Sequence, residues 1–181
     1  MRIAITGASG FVGSRLVEQL RERGDEPVPL VRERADRTVP AGSARWDTET
    51  GELDRDALGE IDAVVHLAGE NVAAGRWSDA RKQRIRDSRG PVTTALCRTL
   101  AALEPRPRVL VSASAIGIYG DRGDEVLHED STLGQGFLAD VAREWEAGTE
   151  GAAAAGIRVV NLRIGLVMDP SGDGARGRES W

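Results

Sequence analysis

Short runs of β-branched and aliphatic residues alternate along this chain with longer stretches whose apolar positions recur every three or four residues. That is the pattern of a parallel sheet covered by helices. The first run, Arg2–Thr6, leads into a glycine-rich turn. A helix is predicted over residues 11–23, with Val12, Leu16 and Leu20 on one face and Gly24 as its stop. Residues 28–31 read as the second strand, and residues 33–60 as a polar loop with one short strand near Ala44–Trp46. Residues 63–67 are a buried strand. Ser78 can cap a helix running to about Ser88, and Pro91 can open another running to about Leu103. Residues 108–112 form the next strand, a single helix is predicted over 135–155, and residues 158–162 form the last strand. After Pro170 the pattern stops, and residues 171–181 read as a disordered tail because they cannot bury enough apolar surface to order themselves.

The turn after the first strand carries the chemistry. Gly7, Gly10 and Gly13 stand three residues apart between a strand and a helix. Gly7 permits the tight turn, Gly10 lets backbone approach a pyrophosphate, and Gly13 allows the helix to pack close to the strand. The helix N-terminus then turns free N–H groups and a positive dipole end toward the phosphates. Ser9, Phe11 and Val12, lying among these glycines, are assigned to the same cofactor site. At the end of the second strand an acidic residue would select NAD by bonding the ribose 2′-hydroxyl. Arg32 stands there instead, with Arg34 beyond, which favours the 2′-phosphate of NADP, NAD being the alternative. The plainer reading of Arg32 is a solvated arginine in an arginine-rich loop.

Composition narrows the rest. The 181 residues include 29 acidic and 24 basic side chains, for a formal charge of −5. An acidic balance argues against a nucleic-acid binder, and no apolar run is long enough for a membrane span. The chain enters a strand at once, so no signal peptide is expected, and one cysteine, Cys97, suits a reducing cytoplasm. With two histidines and that single cysteine, no metal site is expected. Tyr119 is the only tyrosine and Lys82 the only lysine.

Several motifs in order resemble the extended short-chain dehydrogenase/reductase superfamily, and more closely its atypical epimerase branch of nucleoside-diphosphate-sugar epimerase-like proteins. They are the glycine turn, HLAGEN at 66–71, RW at 76–77, RIRDSR at 84–89 with Thr93 and Thr94, SASAIGIYG at 112–120 and LRIGLV at 162–167. The resemblance covers about residues 1–170. It implies that Leu67, Ala68 and Gly69 lie beside the adenosine half of the cofactor, that Ser112 borders the cofactor, and that Ser114 takes the position of the substrate-polarising serine. Ser112 is the second candidate for that position. Where the superfamily carries Tyr-x-x-x-Lys, this chain has Phe137 and Val141. With Trp145 they form an i, i+4, i+8 apolar stripe that reads as core, and neither can exchange a proton. Tyr119 could act as the acid in their place, or simply be a packed tyrosine with a satisfied hydroxyl. The branch also continues into a substrate-closing lobe that this chain is expected to lack.

Other features carry bland readings beside functional ones. Residues 76–89 hold six basic side chains against two acidic ones, either a phosphate-greeting patch or a solvated helix face. His66 reads as a hydrogen-bonded structural histidine, His128 as a loop residue and Cys97 as a buried inert thiol. Ser112 and Ser114 could merely cap a strand end.

The sequence therefore points to an α/β fold, a Rossmann-like doubly wound parallel sheet with helices on both faces and the substrate lobe missing. One domain spans residues 1–170. The expected function is an NADP-binding epimerase or oxidoreductase that transfers hydride on a sugar-like or carbonyl small molecule. The alternatives are a non-catalytic dinucleotide-binding or regulatory module, and a partial chain without a stable function. Open sheet edges suggest self-association into homo-oligomers.

Overall fold

Strand β1 (Arg2–Thr6) shows no polar alternation because both of its faces are covered. Ile3 and Ile5 pack against Val17 and Leu20 of α1 (Phe11–Glu22), whereas Ala4 points to the opposite layer. There it joins Val28 and Leu30 of β2 (Glu26–Arg32), Val64 of β4 (Ala63–His66) and Leu110 of β5 (Val109–Ala115). Leu96 and Leu100 of α4 (Gly90–Ala101) cover that layer, with Ala152 of α6 (Glu150–Ala154). The computed structural model describes residues 1–32, 38–73 and 75–168. All its strands pair in parallel, in the order β3-β2-β1-β4-β5-β6, where β3 is Ala44–Trp46 and β6 is Arg158–Ile164. The order reverses between β1 and β4, which opens a crevice at the carboxyl edge, where ligands bind in such sheets. The expected doubly wound α/β architecture is therefore the one observed. The tail expected at 171–181 lies outside the described residues, as does Arg34.

Four details depart from the sequence reading. The buried stripe of α1 is Gly13, Val17 and Leu20, while Val12 is exposed at the helix start. The polar loop contains a short helix, α2 (Arg55–Leu58), capped by Asp54, whose side chain accepts from the Ala57 amide while Leu58 plugs the core. The single helix expected over 135–155 is two, α5 (Phe137–Ala147) and α6. The Thr149 hydroxyl donates to the Glu146 carbonyl at 2.6 Å, competing with the helical ladder, and Gly148 lies so close to α4 that a Cβ would sit 3.0 Å from the Gly90 oxygen. Packing on α4, invisible in local pattern, thus sets the break. Finally, β5 runs on to Ala115 and into a 3₁₀ turn, Ile116–Tyr119, and β6 extends to Ile164. Ser78 caps α3 (Asp79–Asp87) as the sequence suggests, accepting from the Arg81 amide.

Candidate functional site

The turn between β1 and α1 explains each of its glycines separately. Gly7 has φ +66°, and a Cβ there would stand 2.8 Å from the Leu67 carbonyl carbon. A Cβ on Gly13 would stand 2.1 Å from the Gly7 oxygen. These two glycines are demanded by the protein's own packing. Gly10 is different: its Cβ would meet only the Gly7 oxygen, at 3.2 Å, and its backbone φ of −73° suits any residue. Its small size leaves open the space in front of α1. The first helical bond of α1 is made by Ser14 to Gly10, so the amides of Phe11, Val12 and Gly13 have no acceptor within the helix. Nor does any acidic residue in the first turn compete for them. Ser9 and Gly10 are exposed, Phe11 is half-buried, and Val12 is left exposed on the same rim. Backbone donors, a cradle that a side chain would fill and an apolar rim are what a pyrophosphate site requires. The residues present fit a dinucleotide.

The neighbouring wall comes from the segment after β4. Leu67 and Ala68 are half-buried and donate their amides to the Thr6 hydroxyl, each at 3.1 Å. Gly69 is exposed, and a Cβ there would meet the Arg89 guanidinium at 3.3 Å. On the other flank Leu30 pairs with Thr6, so Arg32 lies two residues further toward the carboxyl edge, exposed beside the glycine turn. The structure thus brings Gly7, Ser9, Gly10, Phe11, Val12, Gly13, Arg32, Leu67, Ala68 and Gly69 to one crevice.

The residues around Ser114 form a second, side-chain-built cluster. Ser114 is 3% exposed, and its hydroxyl donates to Glu146 at 2.6 Å. Arg163, opposite Ser114 in the sheet register, grips both carboxylate oxygens of Glu146 at 2.9 Å. Its remaining nitrogen donates to the Tyr119 hydroxyl at 2.6 Å and to the Glu129 carbonyl at 2.8 Å. Burial raises the Glu146 pKa, but the bonds from Arg163 and Ser114 outweigh it and leave the carboxylate below its ordinary value. The same pairing raises the Arg163 pKa. Tyr119 and Arg163 border an open cavity of about 650 Å³ that also meets Ile116, Leu127, His128 and Asn161. Ser112 is buried, and its hydroxyl reaches only the neighbouring Ala113 carbonyl, at 3.2 Å.

The helix position that the resemblance gives to the proton-transferring pair is apolar. Val141 and Trp145 are core, as the stripe suggests, but Phe137 is not. It is half-buried, edge-on to Trp77 at 5.6 Å, with the Lys82 ammonium 5.7 Å and the Arg86 guanidinium 5.9 Å from its ring. Nor is the basic stretch simply a solvated face. Arg81 is buried and bonds the Asn71 carbonyl, while Arg89 stacks on Trp145 at 4.9 Å and bonds the Ile85 and Glu70 carbonyls. Cys97 is buried, and burial pushes its thiol up to about 12, an inert group. His128 is exposed in a loop. Sequence reasoning gave Glu146 and Arg163 no role. An arginine between apolar neighbours near a strand end, as Arg163 stands between Leu162 and Ile164, is a signal that a partner waits elsewhere, but the partner's identity depends on sheet register. Among the described residues no cluster could hold a metal ion, and no helix is long and apolar enough to cross a membrane.

Residues 3–178 match the NAD dependent epimerase/dehydratase family. Epimerase family protein Mb2239 of Mycobacterium bovis is 41% identical over 172 residues, which cover 94% of this chain and 55% of that protein. The nucleoside-diphosphate sugar epimerase of Corynebacterium glutamicum superposes with a TM-score of 0.79 at 37% identity, covering 99% of this chain and 36% of that one. Human epimerase family protein SDR39U1 (isoform 2), solved with NADPH, gives a TM-score of 0.79 at 27% identity, covering 94% of this chain and 55% of its own. The chain spans about half the length of the curated relatives it matches. With the glycine turn, the switch-point crevice and these matches together, this chain belongs to the NAD dependent epimerase/dehydratase family.

Proposed function

We propose that this chain is the cofactor-holding half of an epimerase-family oxidoreductase, with NADP(H) as the preferred dinucleotide and NAD as the weaker one. The single observation behind this reading is the cradle at Gly10, where a Cβ would meet one neighbouring atom, the Gly7 oxygen at 3.2 Å, and otherwise face open space. The pyrophosphate would rest on the amides of Phe11, Val12 and Gly13, and the adenosine half against Leu67, Ala68 and Gly69. Arg32 is within the flank where a 2′-phosphate would lie, and the human relative solved with NADPH supports that choice. When bound, the nicotinamide supplies hydride transfer to and from a carbonyl or alcohol carbon. The substrate class is a small sugar-like or carbonyl compound, for which the nucleoside-diphosphate sugar epimerase among the structural neighbours gives support. The lone buried cysteine suits a reducing, cytoplasmic setting.

At the substrate end the candidate polar groups are Ser114 and Tyr119. Ser114 spends its proton on Glu146, so toward a substrate it offers only a lone pair. Tyr119 accepts from Arg163 and keeps its own proton free, which makes it the better donor to a substrate oxygen. Phe137 and Val141 favour a second reading, a dinucleotide-binding module without turnover. Assay with carbonyl substrates and NADPH separates the two, since only the first oxidises the cofactor. The cofactor claim is tested by Gly10→Val. The variant should unfold as cooperatively as the parent yet lose NADPH binding by at least about a hundredfold, because its side chain fills the pyrophosphate's place. Undiminished affinity would remove the assignment.

A further inference from the structure

His66 is fully buried at the end of β4 and is not among the groups that would touch the cofactor or a substrate. Its partners decide its chemistry. Nδ1 lies 2.7 Å from the Thr6 hydroxyl and Nε2 lies 2.9 Å from the Thr93 hydroxyl on α4. The Thr6 oxygen already receives the amides of Leu67 and Ala68, the former shared with the Thr6 carbonyl at 3.3 Å. An amide can only donate, so two donors occupy the hydroxyl's two lone pairs. The hydroxyl proton then has one acceptor left, Nδ1 of His66. The neutral ring therefore carries its proton on Nε2 and gives it to Thr93. A proton on Nδ1 would crowd three donors onto Thr6 and strand the hydroxyl hydrogen in a dry site. The third side of the ring is closed by Trp46, edge-on at 5.9 Å, and among the described residues no charged group contacts it.

This chain of bonds ends at the two walls of the cofactor crevice. Thr6 directly precedes Gly7, and Gly7 rests on the backbone of Leu67 so closely that no side chain fits between them. We propose that His66 is a positioning residue of the dinucleotide site: by holding the Thr6 hydroxyl in one orientation it keeps the glycine turn in register with Leu67 and Ala68, and so sets cofactor affinity without touching the cofactor. The inference rests on the NADP(H) reading of that crevice.

The test combines nitrogen-15 NMR of the imidazole with NADPH titration of the full 181-residue chain, three single variants and one double variant. The parent should show the neutral ring protonated on Nε2 at pH 7. His66→Leu should weaken NADPH about tenfold, the scale of one lost hydrogen bond in a binding site. His66→Asn, whose carboxamide oxygen can take the place of Nδ1, should recover binding to within about threefold of the parent. Thr6→Val should match His66→Leu, and the double variant should be no worse than either, since the two act as one unit. A ring protonated on Nδ1, or unchanged NADPH affinity in a folded His66→Leu chain, overturns the proposal. Should His66→Leu fail to fold, the ring's protonation state and Thr6→Val decide. A parent that binds neither NADPH nor NADH defeats the cofactor reading and this inference with it, whereas a binding parent with an indifferent His66→Leu variant defeats the inference alone.

Discussion

The two halves of the sheet present their chemistry in opposite ways. Around β1 and β4 the strands are sealed on both faces, with Ile5 and Val64 fully buried, and the carboxyl edge is built of backbone amides and missing side chains. Around β5 and β6 the edge is built of side chains, namely Ser114, Tyr119, Glu146 and Arg163, and β6 is only half-covered, with Leu162 43% exposed. A phosphate bound by main chain needs a rigid frame and the right glycines, and little else. A substrate bound by side chains depends on which residues happen to stand there. This chain has the frame and the glycines that the first needs, and at the second it sets Phe137 and Val141 where the family resemblance leads one to expect a proton-transferring pair.

If the first half depends on closeness, overfilling it should be the most damaging change. Gly13→Val should cost about 3 kcal/mol or more, because a Cβ 2.1 Å from the Gly7 oxygen forces α1 off β1, and urea denaturation will show it as a large drop in midpoint. Next comes pH. Burial depresses the His66 pKa from 6.5 to about 4, so the folded chain holds a neutral ring that the unfolded chain protonates below pH 6.5. The stability His66 contributes by this route is complete above about pH 6.5 and falls by about 3 kcal/mol as the pH drops to about 4. His66→Asn should flatten that part of the pH profile, and an unchanged slope would contradict the assignment. In the second half, Glu146→Gln should cost about 1–3 kcal/mol, discounted for partial exposure, because it leaves the Arg163 charge half-buried without its carboxylate. Thermal unfolding checks the loss, and a neutral result would mean that water already screens the pair. Leu162→Ser on the open strand should change stability by less than about 0.5 kcal/mol. A loss of several kcal/mol there would mean that β6 is covered in solution, by another copy or another segment.

The same contrast governs what the sequence could disclose. The glycine turn was readable because its constraint is local: three glycines between a strand and a helix state their geometry outright. The parallel, doubly wound class followed from the alternation of strand and helix patterns, while the strand order itself is seen only in the structure. The Ser114, Glu146 and Arg163 cluster was hidden because Ser114 and Arg163 become neighbours only through the β5–β6 register. The basic stretch misled for a related reason. Formal charge says nothing of carbonyls arriving from residues 70 and 71, which hold Arg89 and Arg81 inward. Val12 looked like core by periodicity, yet it sits in the first turn of α1, beyond the reach of the sheet and on the rim of the crevice.

The most direct test of the account is calorimetric titration of the 181-residue chain with NADPH and with NADH, followed by the same pair on Arg32→Asp. A Kd on the order of micromolar is expected for NADPH, tighter than NADH by about tenfold, with that preference lost in the variant. A chain that unfolds cooperatively but binds neither nucleotide would contradict it, showing that the glycine cradle has kept its shape and lost its ligand.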